Sequence, residues 1–158
     1  MTARRPWLGL AGWVLLCFAA AGLGSVATAH SIPGWYDGLA KPSWTPPAWL
    51  FGPVWTVLYL AMAVAAWLVW RPGGFGARRT ALGLFLVQLA LNVAWSALFF
   101  GLRRPDLGLA DIGLLWVAIV FTLLAFRRSS RLAGWLFVPY LLWVSFASAL
   151  NFAIWRMN

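Results

Sequence analysis

The sequence predicts an all-α, polytopic membrane protein: a bundle of five transmembrane helices forming a single domain over residues 1–158. Composition points there first, because 63% of the 158 residues are hydrophobic and only three are acidic, a balance foreign to soluble globular domains. Five apolar stretches, at 6–28, 48–70, 80–102, 107–126 and 132–155, then meet the roughly 20 residues that a helix needs to cross a hydrocarbon core. Finally, the basic residues stand in short clusters between these stretches instead of along one polar face. The net charge of +9 thus reads as a set of topology determinants, and no nucleic-acid partner is expected.

The first stretch follows Arg4 and Arg5 and ends in "ATA" before His30, which also resembles a signal peptide with a small-residue cleavage site. Its apolar run is about 23 residues, longer than the 7 to 15 of a signal core, so a retained spanning helix is expected. A long connection, 30–47, leads to the second stretch, and "KPSWTPPAWLFGPVW" brings three tryptophans and four prolines to that approach. The remaining connections are short and carry turn formers: "RPGGFGARR", "RRPD" and "RRSSR".

Five spans put the chain ends on opposite sides. The N-terminal side collects Arg4, Arg5, Arg71, Arg78, Arg79, Arg127, Arg128 and Arg131, against Lys41, Arg103, Arg104 and Arg156 on the other. The positive-inside rule therefore expects a cytoplasmic N-terminus and an external Pro/Trp-rich loop.

Trp7, Trp49, Trp67, Trp70, Trp135 and Trp155 lie at span ends, where an amphipathic ring suits the headgroup level. Trp55, Trp95, Trp116 and Trp143 lie deeper, where an indole N–H needs an acceptor. At the helical repeat, Gln88, Asn92 and Trp95 share one edge of the third stretch. Gly83, Val87, Ala90, Ala94 and Ala97 form a small-residue stripe opposite, suited to close helix packing or a homodimer. Tyr140, Trp143, Ala147 and Asn151, with Leu150 at the edge, share an arc of the fifth stretch, as Trp55, Tyr59, Met62 and Ala66 do on the second. Rings with a few amides suit a flat, mostly apolar ligand; a dry bundle core is the alternative.

Asp111 is the acid inside a span, about four residues into the fourth stretch, and pairing with Arg103 or Arg104 or with the helix N-terminus is its simplest role. His30 reads as an interfacial loop residue rather than a haem ligand. Cys17, the single cysteine, excludes an intramolecular disulfide and leaves too few thiols for a zinc or iron–sulfur site. No metal site and no required cofactor are expected. No nucleophile elbow, phosphate loop or paired carboxylates are present, so conventional acid–base or nucleophilic catalysis has no visible machinery.

"GWYDGLAKPSWTPPAWLFGPVWTVLY", "QLALNVAWSALFFG" and "VPYLLWVSFASALNFAIWR" closely resemble the TspO/MBR family, the tryptophan-rich sensory and translocator proteins formerly called the peripheral benzodiazepine receptor. The resemblance runs through essentially the whole chain. It implies a five-helix bundle, commonly dimeric, that binds tetrapyrroles such as protoporphyrin IX, with sterols or synthetic ligands in some members. It places Trp35, Tyr36, Trp44 and Pro47 in a lid and rim, and Trp55, Tyr59, Asn92, Trp95, Trp143, Ala147 and Leu150 on the pocket wall. A second function class, light-dependent porphyrin degradation, would use Trp55 and Trp143; a third is a structural membrane subunit without a small ligand. The sterol pattern of animal relatives is incomplete, because Phe152 stands where its tyrosine belongs before Arg156. Arginine richness with little lysine points to a bacterial source and favours porphyrin over sterol.

Overall fold

The computed structural model describes residues 5–158; Arg4, counted above among the topology determinants, lies outside the described residues. Six α-helices follow in order: α1 Pro6–Ser31, α2 Phe51–Trp70, the four-residue α3 Gly74–Ala77, α4 Arg79–Ser96, α5 Pro105–Ser129 and α6 Arg131–Met157. All but α3 belong to segments long and apolar enough to cross a membrane. They close into a ring, α1 against α2, α2 against α6, α6 against α5, α5 against α4 and α4 against α1.

Five long apolar helices are present, as the fold class requires, and two of their ends bear on the cavity. The first helix runs three residues beyond Thr28, and a kinked turn over Ile32–Tyr36 continues it. Ser31 Oγ donates to the Phe100 carbonyl over 2.6 Å, tying that end to α4's extension. Helical geometry fails only at Pro33 and at Gly34, whose φ of +92° favours glycine. The irregular loop is therefore shorter than the 30–47 expected from breakers alone. Second, α4 ends in a π-helical turn over Ala97–Gly101, which brings both Phe99 and Phe100 to the interior.

The bundle is divided along its length. Toward the end that holds the N-terminus, Phe85 packs edge-on to Trp13 at 5.5 Å and face-to-face with Phe126 at 5.9 Å, and Phe137 closes on Phe126 at 5.1 Å. That half is a dry core. Small residues set how closely its helices approach: a Cβ on Gly134 would meet the Arg127 backbone at 3.0 Å, where α6 turns back along α5. Toward the opposite end the helices separate around a cavity, whose wall includes Ile32 and Tyr36 before the loop and Ala48 after it.

That loop is held by polar contacts. Lys41 Nζ donates to the carbonyls of Tyr36, Leu39 and Asp37 at 2.7, 3.1 and 3.2 Å, and stands 4.8 Å over the Tyr36 ring. Ala40 and the Asn158 side chain exchange two hydrogen bonds, so α6 anchors the loop's midpoint. Four prolines between 33 and 47 restrict the backbone further.

Candidate functional site: a ring-lined cavity under the loop

A cavity of about 600 Å³ opens among α1, α2, α4 and α6. Its wall includes Tyr36, Trp55, Tyr59, Asn92, Trp95, Trp143, Ala147 and Leu150, eight of the eleven residues expected at the site. The other three stand one layer behind it. Trp35 packs edge-on to Phe99 at 5.7 Å, and Trp44 edge-on to Phe146 at 5.7 Å, so each backs a wall residue. Pro47 is extended and accepts from Leu50 N at 3.0 Å, setting the turn that starts α2.

The polar atoms of the wall are connected in depth. Tyr59 donates to Asn92 Oδ1 at 3.2 Å, Asn92 Nδ2 donates to the Tyr140 hydroxyl at 2.7 Å, and Tyr140 donates to Gln88 Oε1 at 2.8 Å. Tyr140 and Gln88 are fully buried, and the chain joins α2, α4 and α6 below the cavity floor. A second junction fixes the far wall: Trp95 Nε1 donates to Asn151 Oδ1 at 3.0 Å, while Asn151 Nδ2 donates to the Pro105 carbonyl at 2.8 Å. Buried amides and hydroxyls in a bilayer cost several kcal/mol if unpaired, so these pairings fix side-chain positions.

The indole N–H groups of Trp55 and Trp143 differ from that of Trp95: among the described residues they meet no acceptor. Trp55 lies 5.6 Å from Tyr59 and 6.2 Å from Tyr140; Trp143 lies 6.0 Å from Phe51 and 5.5 Å from Phe146. The cavity wall thus holds flat apolar rings, two of them with no acceptor at the indole N–H among the described residues. Trp116, the fourth deep tryptophan, is outside it and donates to Ser145 Oγ at 2.8 Å between α5 and α6.

The helical stripes read from the sequence serve two roles along their length. Trp55 and Tyr59 line the cavity, whereas Met62 and Ala66, one and two turns deeper on the same stripe, are wholly buried core. The contribution of α1 had no counterpart in the sequence reading: Phe18, Gly22, Ser25 and Ala29 form its exposed cavity edge. Their spacing, four, three and four residues, is one helical face, but Ser25 and Thr28 direct their hydroxyls to their own helix at Gly22 and Gly24.

Asp111 corrects an expectation. It is buried, and its Oδ2 has no partner among the described residues. Arg104 instead forms a bidentate pair with Asp106 at 2.8 and 2.6 Å, the acid in the first turn of α5. Asp106 also takes the place at the helix N-terminus. His30 is exposed, with its Nδ1 donating to Val26 O at 2.8 Å, and lies outside the cavity wall.

Comparison with known proteins gives this geometry its context. A model of the TspO/MBR family matches residues 13–156. The chain is 48% identical to the tryptophan-rich protein TspO of Chlorobaculum tepidum over 98% of its own length and 99% of the relative's. It is 42% identical to the human translocator protein, with 97% and 92% covered, and 40% identical to the tryptophan-rich sensory protein of Cereibacter sphaeroides, with 92% of each covered. Five spanning helices and a match along nearly the whole sequence agree: the chain is an integral multi-pass membrane protein and belongs to the TspO/MBR family.

Proposed function

We propose that this chain is a receptor or transporter-like protein that binds a tetrapyrrole, protoporphyrin IX or a close relative, in the cavity beneath its Pro/Trp-rich loop. One observation carries this reading. A 600 Å³ space walled by Trp55, Trp95, Trp143, Phe51 and Phe99, with Tyr59 and Asn92 at its floor, offers stacking surfaces to a flat ring system and polar atoms to its edge. Tryptophan fluorescence of the detergent-solubilised protein titrated with protoporphyrin IX tests it. Saturable quenching at one site per chain is expected; quenching that rises linearly without saturation would reject it. The photochemical alternative at Trp55 and Trp143 is separated by following the bound porphyrin's absorption in light and darkness.

The same reading includes a homodimer through Gly83, Ala90, Ala94 and Ala97. Ala90 and Ala97 are exposed, Gly83 and Ala94 are partly exposed, and a Cβ on Gly83 would meet nothing within 4 Å, which fits close approach by a second copy. Ala90→Trp is expected to convert dimer to monomer in detergent; an unchanged mass would remove this face. A bacterial plasma membrane with the N-terminus in the cytoplasm completes the proposal, supported by the arginine asymmetry. A reporter active only in the cytoplasm is expected to work at the N-terminus and fail after Asn158.

A further inference from the structure

Among the described residues α5 gives none to the cavity wall, yet its first turn holds a wall tryptophan in place. Asn151 is the link. It lies on α6, is 1% exposed, and accepts from Trp95 Nε1 at 3.0 Å while its Nδ2 donates to the carbonyl of Pro105, the first residue of α5, at 2.8 Å. An indole N–H can only donate and a proline carbonyl can only accept, so the amide sits between complementary partners that fix both of its ends. An ionised aspartate there would satisfy the indole alone, and leucine neither partner.

Gly108, in the next turn of α5, gives Asn151 its seat. A Cβ there would stand 3.1 Å from Asn151 Oδ1 and 3.1 and 3.2 Å from Cβ and Cδ2 of Phe99, so both neighbours would have to give way. Phe99 in turn stacks on Trp95 at 5.2 Å with 24° between the planes, and Phe100 meets the same indole edge-on at 5.8 Å. Trp95, Phe99 and Asn151 all line the cavity. The missing side chain at Gly108 therefore lets three wall residues close on one another.

We propose that Asn151 is a positioning residue for the ligand of this cavity, an inference that rests on the tetrapyrrole reading above. It ties the Trp95 N–H to the start of α5, so that this indole meets a bound ring as an apolar plate with its donor satisfied inside the wall. Trp55 and Trp143 differ, since their N–H groups meet no acceptor among the described residues. Without the Asn151 acceptor, the Trp95 ring would turn to pair its N–H elsewhere in a region without water, at the cost of its stacking on Phe99. Asn151 has almost no exposed surface of its own, so it acts on the ligand through Trp95.

The test uses the full chain in detergent with its tryptophans isotope-labelled for NMR, the Trp95 indole signal assigned by its loss in Trp95→Phe, and protoporphyrin IX as the probe. In the ligand-free parent that N–H is expected to exchange slowly with solvent. Asn151→Leu should speed the exchange and weaken binding, each about tenfold, the scale of one buried hydrogen bond. Asn151→Asp keeps the acceptor; it should leave exchange slow and affinity within about threefold of the parent, which a role in packing alone would not predict. Gly108→Ala gains helix propensity that offsets its crowding, so it should unfold within a few degrees of the parent yet bind about fivefold more weakly. Gly113→Ala, on the same helix but in open space, should bind like the parent. Parent-like affinity in both Asn151→Leu and Gly108→Ala overturns the proposal, and so does an Asn151→Asp protein as weak and as fast-exchanging as Asn151→Leu. A parent without saturable porphyrin binding would reject the tetrapyrrole reading, while the exchange rates of the ligand-free proteins still decide whether Asn151 holds Trp95.

Discussion

Asn92 Nδ2 donates to the Tyr140 hydroxyl over 2.7 Å, and that hydroxyl donates in turn to Gln88 Oε1 over 2.8 Å, so one fully buried oxygen serves both amides of α4. Tyr140→Phe keeps the ring and strands two amide groups in a region without water. A loss of about 1 to 2 kcal/mol is expected, less than in a dry soluble core because membrane helices find substitute partners. Tyr59→Phe removes a single longer bond, 3.2 Å, at the cavity floor, and should cost less than half as much. Thermal unfolding followed by tryptophan fluorescence in one detergent checks the order; equal midpoints for the two variants would show that the chain does not hold the bundle.

The polar chain also shows what the sequence made legible. Five apolar runs and a 3.6-residue repeat suffice to place Trp55, Tyr59, Asn92, Trp95, Trp143 and Ala147 on inward faces, because lipid leaves each helix two environments and amides must choose the interior. Depth was not legible. Nothing in the spacing of Trp55, Tyr59, Met62 and Ala66 tells where cavity gives way to core, since that depends on how Phe85, Phe126 and Phe137 fill the other half. The α1 edge was missed for a related reason: Phe18, Gly22, Ser25 and Ala29 carry no amide or indole to mark a face. The Asp111 expectation failed because proximity in sequence favoured Arg104, and Asp106 was nearer still.

Gly134 and Gly113 separate close packing from helix propensity. Gly134→Ala would drive a methyl to 2.8 Å from Arg127 Cβ and 3.0 Å from its Cα, so α6 must shift against α5. A cost of about 1 to 3 kcal/mol is expected. Gly113→Ala meets nothing within 4 Å and should be neutral or stabilise by up to about 1 kcal/mol through helix propensity. Thermal midpoints measured side by side decide; a destabilised Gly113→Ala would mean that its face is covered by a partner.

Lys41 gathers three loop carbonyls, and methionine keeps its apolar stem without its donors. Lys41→Met should speed amide hydrogen exchange across residues 37–47 by about tenfold while leaving α5 and α6 unchanged, since about 1.4 kcal/mol is a modest share of three charge-assisted bonds. Dissociation of bound protoporphyrin should accelerate by a similar factor. Unchanged exchange in the loop would assign its order to the prolines and to the Asn158–Ala40 pair.

Ala147 offers the sharpest test of the cavity as a binding site. It lies one turn from Trp143 and one turn from Asn151 on α6, is half-buried, and faces open space with the other wall residues. A phenyl ring there would enter volume that a flat ligand needs, and overpacking of about 1 to 3 kcal/mol corresponds to about tenfold to a hundredfold in affinity. Because the added ring enters a cavity instead of a packed core, Ala147→Phe should unfold within a few degrees of the parent. The double variant Trp55→Phe plus Trp143→Phe is the complement: it retains aromatic walls, loses two indole donors, and is expected to bind protoporphyrin within about tenfold of the parent. Fluorescence titration of all three proteins distinguishes shape from hydrogen bonding. An Ala147→Phe protein that folds normally and binds as tightly as the parent would place the porphyrin elsewhere, and a double variant weaker than Ala147→Phe would make the indole donors, not the width of the cavity, the source of affinity.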